Sequence, residues 1–193
     1  FLSFIILFHC TYGNNIENYL NLAGDNQYQL IKALNQISAD KRKGLSWLIK
    51  RMPLDDLKTL SSEYLLINTS LAYEAWKNSP WFKNIPENIF LDNILPYANL
   101  NERRDNRREE LRKMFLPLIS DAKSLSEAAA ILNNSIFEKL NVVYSTKRPK
   151  ADQSPGESIK AGLASCTGLS ILLISACRSV GIPARFVGTS NWY

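Results

Sequence analysis

The chain has 193 residues, of which 46% are hydrophobic, 10% aromatic and 21% charged, with 8 Gly and 8 Pro. This composition excludes a disordered, collagenous or low-complexity protein, and the length suffices to bury a core without metal or disulfide staples. A net charge of +5 does not mark a nucleic-acid binder, three cysteines cannot build a disulfide scaffold, and no apolar run reaches the roughly 20 residues of a membrane-spanning helix.

Phe1 to Phe8 reads FLSFIILF, an almost wholly apolar stretch followed by His9 and Cys10. Such a run fits the hydrophobic part of a secretory signal, so residues 1–13 are expected to be a signal-peptide or lipoprotein-signal remnant. The protein is then exported, to a periplasm, a cell surface or the medium. Cys10 is a candidate for lipidation, the one route by which a membrane contact is expected, although His9 is a poor residue to precede a lipidated cysteine. His9 is the only histidine, and its position makes it a poor catalytic or metal-binding candidate. The chain starts without Met and stops at Tyr193 just after a strand-like stretch, and we expect it to be a fragment.

Residues 14–120 are expected to form a helical N-terminal region. Asp25 can cap a helix carrying Leu30, Ile31, Leu34 and Ile37 on one face. Asp40 can cap the next, with Leu45, Leu48, Ile49 and Met52 as its stripe and Pro53 as its stop. A longer helix is predicted from Ser62 to Lys77, with Tyr64, Ile67, Leu71 and Ala75 on one side and Asn78-Ser79-Pro80 at its end. A loop-rich stretch with Trp81, Pro86 and Pro96 leads into the charge run from Asn101 to Glu110. There Glu102, Asp105, Glu109 and Glu110 can pair with Arg103, Arg108 and Lys113 at helical spacing. A second charged segment, Lys41 to Arg51, has Leu45, Leu48 and Ile49 between its charges. Both read as solvated helix faces, and no nucleic acid is expected as a partner.

Residues 121–193 have a different grammar. Ser124-Leu-Ser-Glu127 is a capping box opening a helix with Ala128, Leu132, Ile136 and Leu140 at i, i+4 spacing. Val142-Val143-Tyr144 is a strand candidate, and Lys147 to Asp152 a polar exposed loop. Ser154-Pro155-Gly156-Glu157 is a second capping box, with Pro155 at the first helical position. Leu169, Leu172, Leu173, Ala176, Cys177 and Val180 then form a sustained amphipathic stripe. Gly181 suits a left-handed cap, Ile182 its apolar contact and Pro183 a stop. Ala184 to Thr189 reads as a strand, on which Arg185 and Phe186 point to opposite faces.

Ser165 is a good N-cap and places Cys166 at the first position of that helix. A helix N-terminus carries partial positive charge and free N–H groups, which favour a thiolate over a thiol and can stabilise an oxyanion. Cys166 lies on the line of the stripe, so the helix body would sit in a core while its first turn meets a cleft. Gly162 and Gly168 would leave room for a substrate backbone. A cysteine on an apolar face is more often a core residue, and Cys177, in mid-stripe, reads as packing. The two cannot bond, since eleven residues of helix separate them by roughly 16 Å.

The string from Gly162 through Ser165-Cys166-Thr167-Gly168 to Arg178-Ser-Val-Gly181-Ile-Pro-Ala-Arg185-Phe-Val-Gly188 strongly resembles the nucleophile segment of the transglutaminase-like superfamily. Tyr144, Gln153-Ser-Pro and Ser158-Ile159 fit the approach to its cysteine. The resemblance covers about residues 121–193, and Leu95 to Asp105 looks like the helical pre-domain of secreted bacterial members. It implies an α+β fold, mostly helical in this chain, with the start of a papain-like, transglutaminase-like core whose cysteine helix packs on an antiparallel sheet. It implies Cys166 as a thiolate nucleophile on acyl or amide bonds, in acyl transfer, deamidation or peptide hydrolysis. It implies no cofactor and no metal, and a protein or peptide as the substrate partner; the oligomeric state is not legible. The family's histidine and aspartate would follow the strand begun at Ala184, beyond Tyr193, so the 193-residue piece is expected to be inactive or nearly so. The family also makes Arg185 a recurrent structural residue near the sheet, against the alternative of a solvent-facing arginine. A non-catalytic peptide- or glycan-binding protein on the same fold is the competing reading, and a plain helical lipoprotein with a core cysteine a third.

Overall fold

The computed structural model describes residues 16–187, so the FLSFIILF run, His9 and Cys10 lie outside the described residues. The chain divides into two compact units, residues 1–63 and 64–193.

The first unit holds α1 (Glu17–Leu22), α2 (Gln27–Gln36), α3 (Ala39–Ile49) and α4 (Leu54–Thr59), and the stripes expected at α2 and α3 are buried except for half-buried Ile31. Leu30, Leu34, Leu45, Leu48 and Ile49 are all in the core. The caps differ from expectation. Asp25 lies in a 3-10 turn, Gly24–Asn26, and α2 begins two residues later, behind Asn26. Asn26 spends its side-chain amide on the carbonyls of Leu57 and Leu60, at 2.8 and 3.0 Å, and thereby ties the α2 start to α4. Asp40 sits inside the first turn of α3, not before it, where a carboxylate still complements the helix dipole. Pro53 does not stop α3, which ends at Ile49; it opens α4, where its missing N–H costs nothing.

The second unit begins inside α5, which runs Ser62–Lys77 as predicted. Its buried side differs: Tyr64 and Ala75 are buried, whereas Ile67 is exposed, and Leu65, Thr69, Ala72 and Tyr73 complete the face. The stretch expected to be loop contains a helix, α6 (Glu87–Asn93), because Pro86 supplies a start and Phe90 an anchor. Phe90 stacks on Trp76 at 4.2 Å between ring centroids and meets Tyr73 edge-on at 4.6 Å. Residues 101–107 are irregular, and only from Arg108 does the charge run become helical, as α7 (Arg108–Phe115). The expected Glu109–Lys113 pair forms there at 2.6 Å.

The part of this unit closest to the cysteine follows the sequence reading more tightly. α8 (Leu125–Lys139) buries Ala128, Leu132 and Ile136. Its capping box is half made: Ser124 accepts from Glu127 N–H, but the Glu127 carboxylate takes the Lys123 N–H instead. β1 (Val143–Tyr144) and β2 (Leu163–Ala164) pair in parallel, Val143 opposite Leu163. Between them α9 (Pro155–Ala161) makes the crossover a parallel pair requires. The antiparallel sheet that the resemblance implies is not among the described residues, whose two strands form this parallel pair. α10 (Cys166–Ser179) packs against α7, α8 and α9.

α10 ends as predicted. Gly181 adopts φ +84, its N–H donates to Arg178 O, and Ile182 N–H donates to Cys177 O at 2.9 Å. Beyond it, residues 184–187 form no strand among the described residues, and residues 188–189 of the expected strand lie outside them. The Ala184 peptide is already spent, its N–H donating to Asn93 O at 2.9 Å and its carbonyl accepting from Arg178 Nε at 2.8 Å. Arg185 is exposed.

Candidate active site

Cys166 is placed by a chain of local stops and starts. Ser154 and Glu157 complete a reciprocal capping box that fixes where α9 begins. Gly162, at φ +64, ends α9 and turns the chain into β2. Val143 N–H donates to Gly162 O at 3.0 Å and Ser145 N–H to Ala164 O at 2.9 Å, which pins β2 against β1. One residue later Ser165 caps α10, its hydroxyl oxygen accepting the Gly168 N–H at 2.9 Å. The same hydroxyl donates to Ala151 O at 2.6 Å, so the cap is itself held by the preceding loop. Gln153 ties that loop a second time, donating from Nε2 to Leu163 O at 3.0 Å.

The outcome is a cysteine at the first position of a 14-residue helix that buries one face through Ile171, Leu172, Ile174 and Ala176 to Ser179, while Cys166 itself is exposed. The N–H groups of Cys166 and Thr167 have no protein acceptor among the described residues. They remain available to an anion or an oxyanion beside the sulfur. Cys177 is the opposite case. It is buried, and burial pushes its thiol up to about 12, outweighing the help of the adjacent Arg178 charge. The assignment of Cys177 to packing holds.

The two glycines do not act as expected. Gly162 is needed for its left-handed turn. Gly168 is buried, and a Cβ there would lie 3.1 Å from Ala164 Cβ and 3.5 Å from Ser158 Oγ. It is required for the close approach of α10 to β2 and α9, not for the approach of a substrate.

Three supporting groups escape a reading by spacing. Asp105 reaches across from the irregular segment to accept the Gly156 N–H at 2.8 Å, and a Cβ on Gly156 would strike that carboxylate at the same distance. Arg108 is buried and donates to the carbonyls of Ile94, Leu95 and Pro96. Arg178 is buried in the stripe and donates to Pro96, Ala98 and Ala184. An arginine in an otherwise apolar helix face was the available signal for the last. Among the described residues no group of three or more His, Cys, Asp or Glu side chains is placed to hold a metal, and no helix is long and apolar enough to cross a membrane.

A mostly helical α+β core that presents a capped, exposed cysteine at the head of a buried helix defines a class of thiol-bearing folds. Residues 113–193 match the family described as the transglutaminase-like superfamily. Members of that superfamily are in general cysteine enzymes of cysteine-protease-like fold. No curated protein and no solved structure matches the chain.

Proposed function

We propose that Cys166 is the nucleophile of a transglutaminase-like enzyme acting on acyl or amide bonds of a protein or peptide. The observation that carries this reading is the exposure of Cys166 at the capped start of an otherwise buried helix, beside two unused N–H groups. In the reaction the sulfur attacks the acyl carbonyl carbon, the carbonyl oxygen gains charge toward those N–H groups, and the amine or alkoxide leaves. Water or a second amine then attacks the thioester and releases the cysteine.

The leaving amine needs a proton, and the sulfur needs to lose one. A histidine oriented by an aspartate does both in the superfamily's arrangement. The only histidine in this chain is His9, which precedes the core segment. We therefore propose that the 193-residue chain acylates on Cys166 but does not turn over amides. The apolar run at Phe1–Phe8 supports a further proposal of export, with Cys10 as the candidate anchor; fractionation of cells carrying the chain tests it.

Reaction with p-nitrophenyl acetate tests the chemistry, because the p-nitrophenolate leaves without a proton donor. Peptide mapping is expected to find the acetyl group on Cys166 and not on Cys177. Equal or absent acetylation of the two would overturn the assignment and favour a non-catalytic peptide- or glycan-binding role. Turnover of an amide that is lost in Cys166→Ala would instead overturn the proposed inactivity of this chain.

A further inference from the structure

Five arginines converge in the second unit around a cavity of about 30 Å³. By the volume a water requires, it has room for one or two water-sized groups. Arg103, Arg104, Arg107, Arg108, Arg178 and Ser175 line it. The rim arginines each have a carboxylate: Arg103 has Glu157 at 3.6 Å, Arg104 has Glu102 at 3.7 Å, and Arg107 has Glu110. The two deeper ones have no carboxylate at ion-pair distance, although the Glu102 charge acts on Arg178. Arg108 and Arg178 are 8% and 4% exposed, and every hydrogen bond either makes goes to a neutral backbone carbonyl. They even share one acceptor, Pro96 O, at 2.7 and 3.3 Å.

Two carboxylates also line the cavity, and both are engaged. Glu102 accepts the N–H groups of Asn99 and Leu100, each at 2.8 Å, and Asp105 accepts that of Gly156. Counted with Glu110 and Glu157, four carboxylates face the five guanidiniums, and the cluster keeps one positive charge in excess. A buried charge is costly unless a counter-charge meets it. Burial pulls Arg108 down to about 10, and burial with the neighbouring Arg108 charge pulls Arg178 down to about 9 against the opposing pull of Glu102. Both remain cations at neutral pH.

We propose that this cavity is a binding site for a small monovalent anion, a halide ion or a carboxylate group, held between Arg108 and Arg178. The planar fork of a guanidinium suits such a ligand, and the cavity is too small for a larger one. The site lies at the far end of α10 from Cys166, twelve residues or roughly 18 Å along the helix, and is independent of the thiol chemistry. Its occupant would lock residues 94–98, whose carbonyls the two arginines hold, onto α7 and α10.

The test is thermal unfolding of the 193-residue chain in sodium chloride and in sodium formate. Ionic strength is held constant with a bulky sulfonate that the cavity cannot admit. A ligand that binds the folded state raises the midpoint in a saturable way. The expected result is such a rise, several degrees at saturation, with at least one of the two anions. A rise with formate alone identifies a carboxylate site, and a rise with both a general small-anion site. The rise is expected to vanish in Arg178→Gln. Should that variant not fold, Ser175→Leu fills the cavity with both arginines intact and is expected to remove the response. No rise with either anion, or a rise that persists in the variants that fold, would overturn the proposal.

Discussion

Replacing Gly181 with alanine isolates the junction that ends the cysteine helix. Gly181 sits at φ +84, and a Cβ there would lie 2.3 Å from Ala75 O and 3.0 Å from Ala75 C, both backbone atoms of α5. Two costs add. A left-handed residue with a side chain costs about 1–2 kcal/mol. An overpacked contact that backbone must move to relieve costs about 1–3 kcal/mol more. Gly162→Ala is the internal control, because its φ of +64 is also left-handed but its nearest atom, Asn141 O, is at an ordinary 3.4 Å. Only the first cost applies there. Both positions belong to the same compact unit, so thermal unfolding followed by circular dichroism compares them directly. Gly181→Ala is expected to lower the midpoint by on the order of 10 °C and Gly162→Ala by on the order of 4 °C. Equal shifts would refute the packing of α10's end against α5, leaving backbone conformation as the whole effect.

Ser165→Ala removes both the α10 cap and the bond to Ala151 O; urea unfolding should show a loss of about 1–2 kcal/mol, with slower acetylation of Cys166. Glu157 supplies a pH dependence. Burial acts to raise its carboxyl, but the Ser154 N–H and Lys150, at 2.8 and 3.0 Å, outweigh it and hold the group below its ordinary value. A carboxyl depressed on folding stabilises the protein above its unfolded-state value of 4.5 and loses that contribution as pH falls through the folded one. Stability measured by urea unfolding should therefore fall on acidification from about pH 5, and Glu157→Gln should flatten part of that fall. An unchanged acid limb in the variant would remove Glu157 from the explanation.

Legibility tracked how local the cause was. The Ser154–Glu157 box, the Ser165 cap, the Gly181 turn and the Ser62–Lys77 helix each follow from side chains acting on backbone a few residues away, and each stands where the residues placed it. The failures lie where a distant group wins. Asp25 lost its capping role because Asn26 is recruited by the Leu57 and Leu60 carbonyls more than thirty residues on. Ala184 did not extend a strand because Asn93 and Arg178 had already taken its backbone groups. Gly168 was legible as necessary but not as a packing residue, since the atoms that exclude a side chain come from Ala164 and Ser158. The resemblance carried by Gly162 to Gly188 foresaw the family match over residues 113–193 but not the carbonyl-binding work of Arg108 and Arg178, whose acceptors are distant in the chain.

The most direct measurement compares iodoacetamide labelling of Cys166 and Cys177 in the folded chain with labelling of the same two residues in urea. Cys166, exposed at the head of α10, is expected to label in the folded chain about as readily as in urea, and Cys177, buried, far more slowly folded than unfolded. Equal, slow labelling of Cys166 and Cys177 in the folded chain would contradict the assignment of Cys166 as the nucleophile.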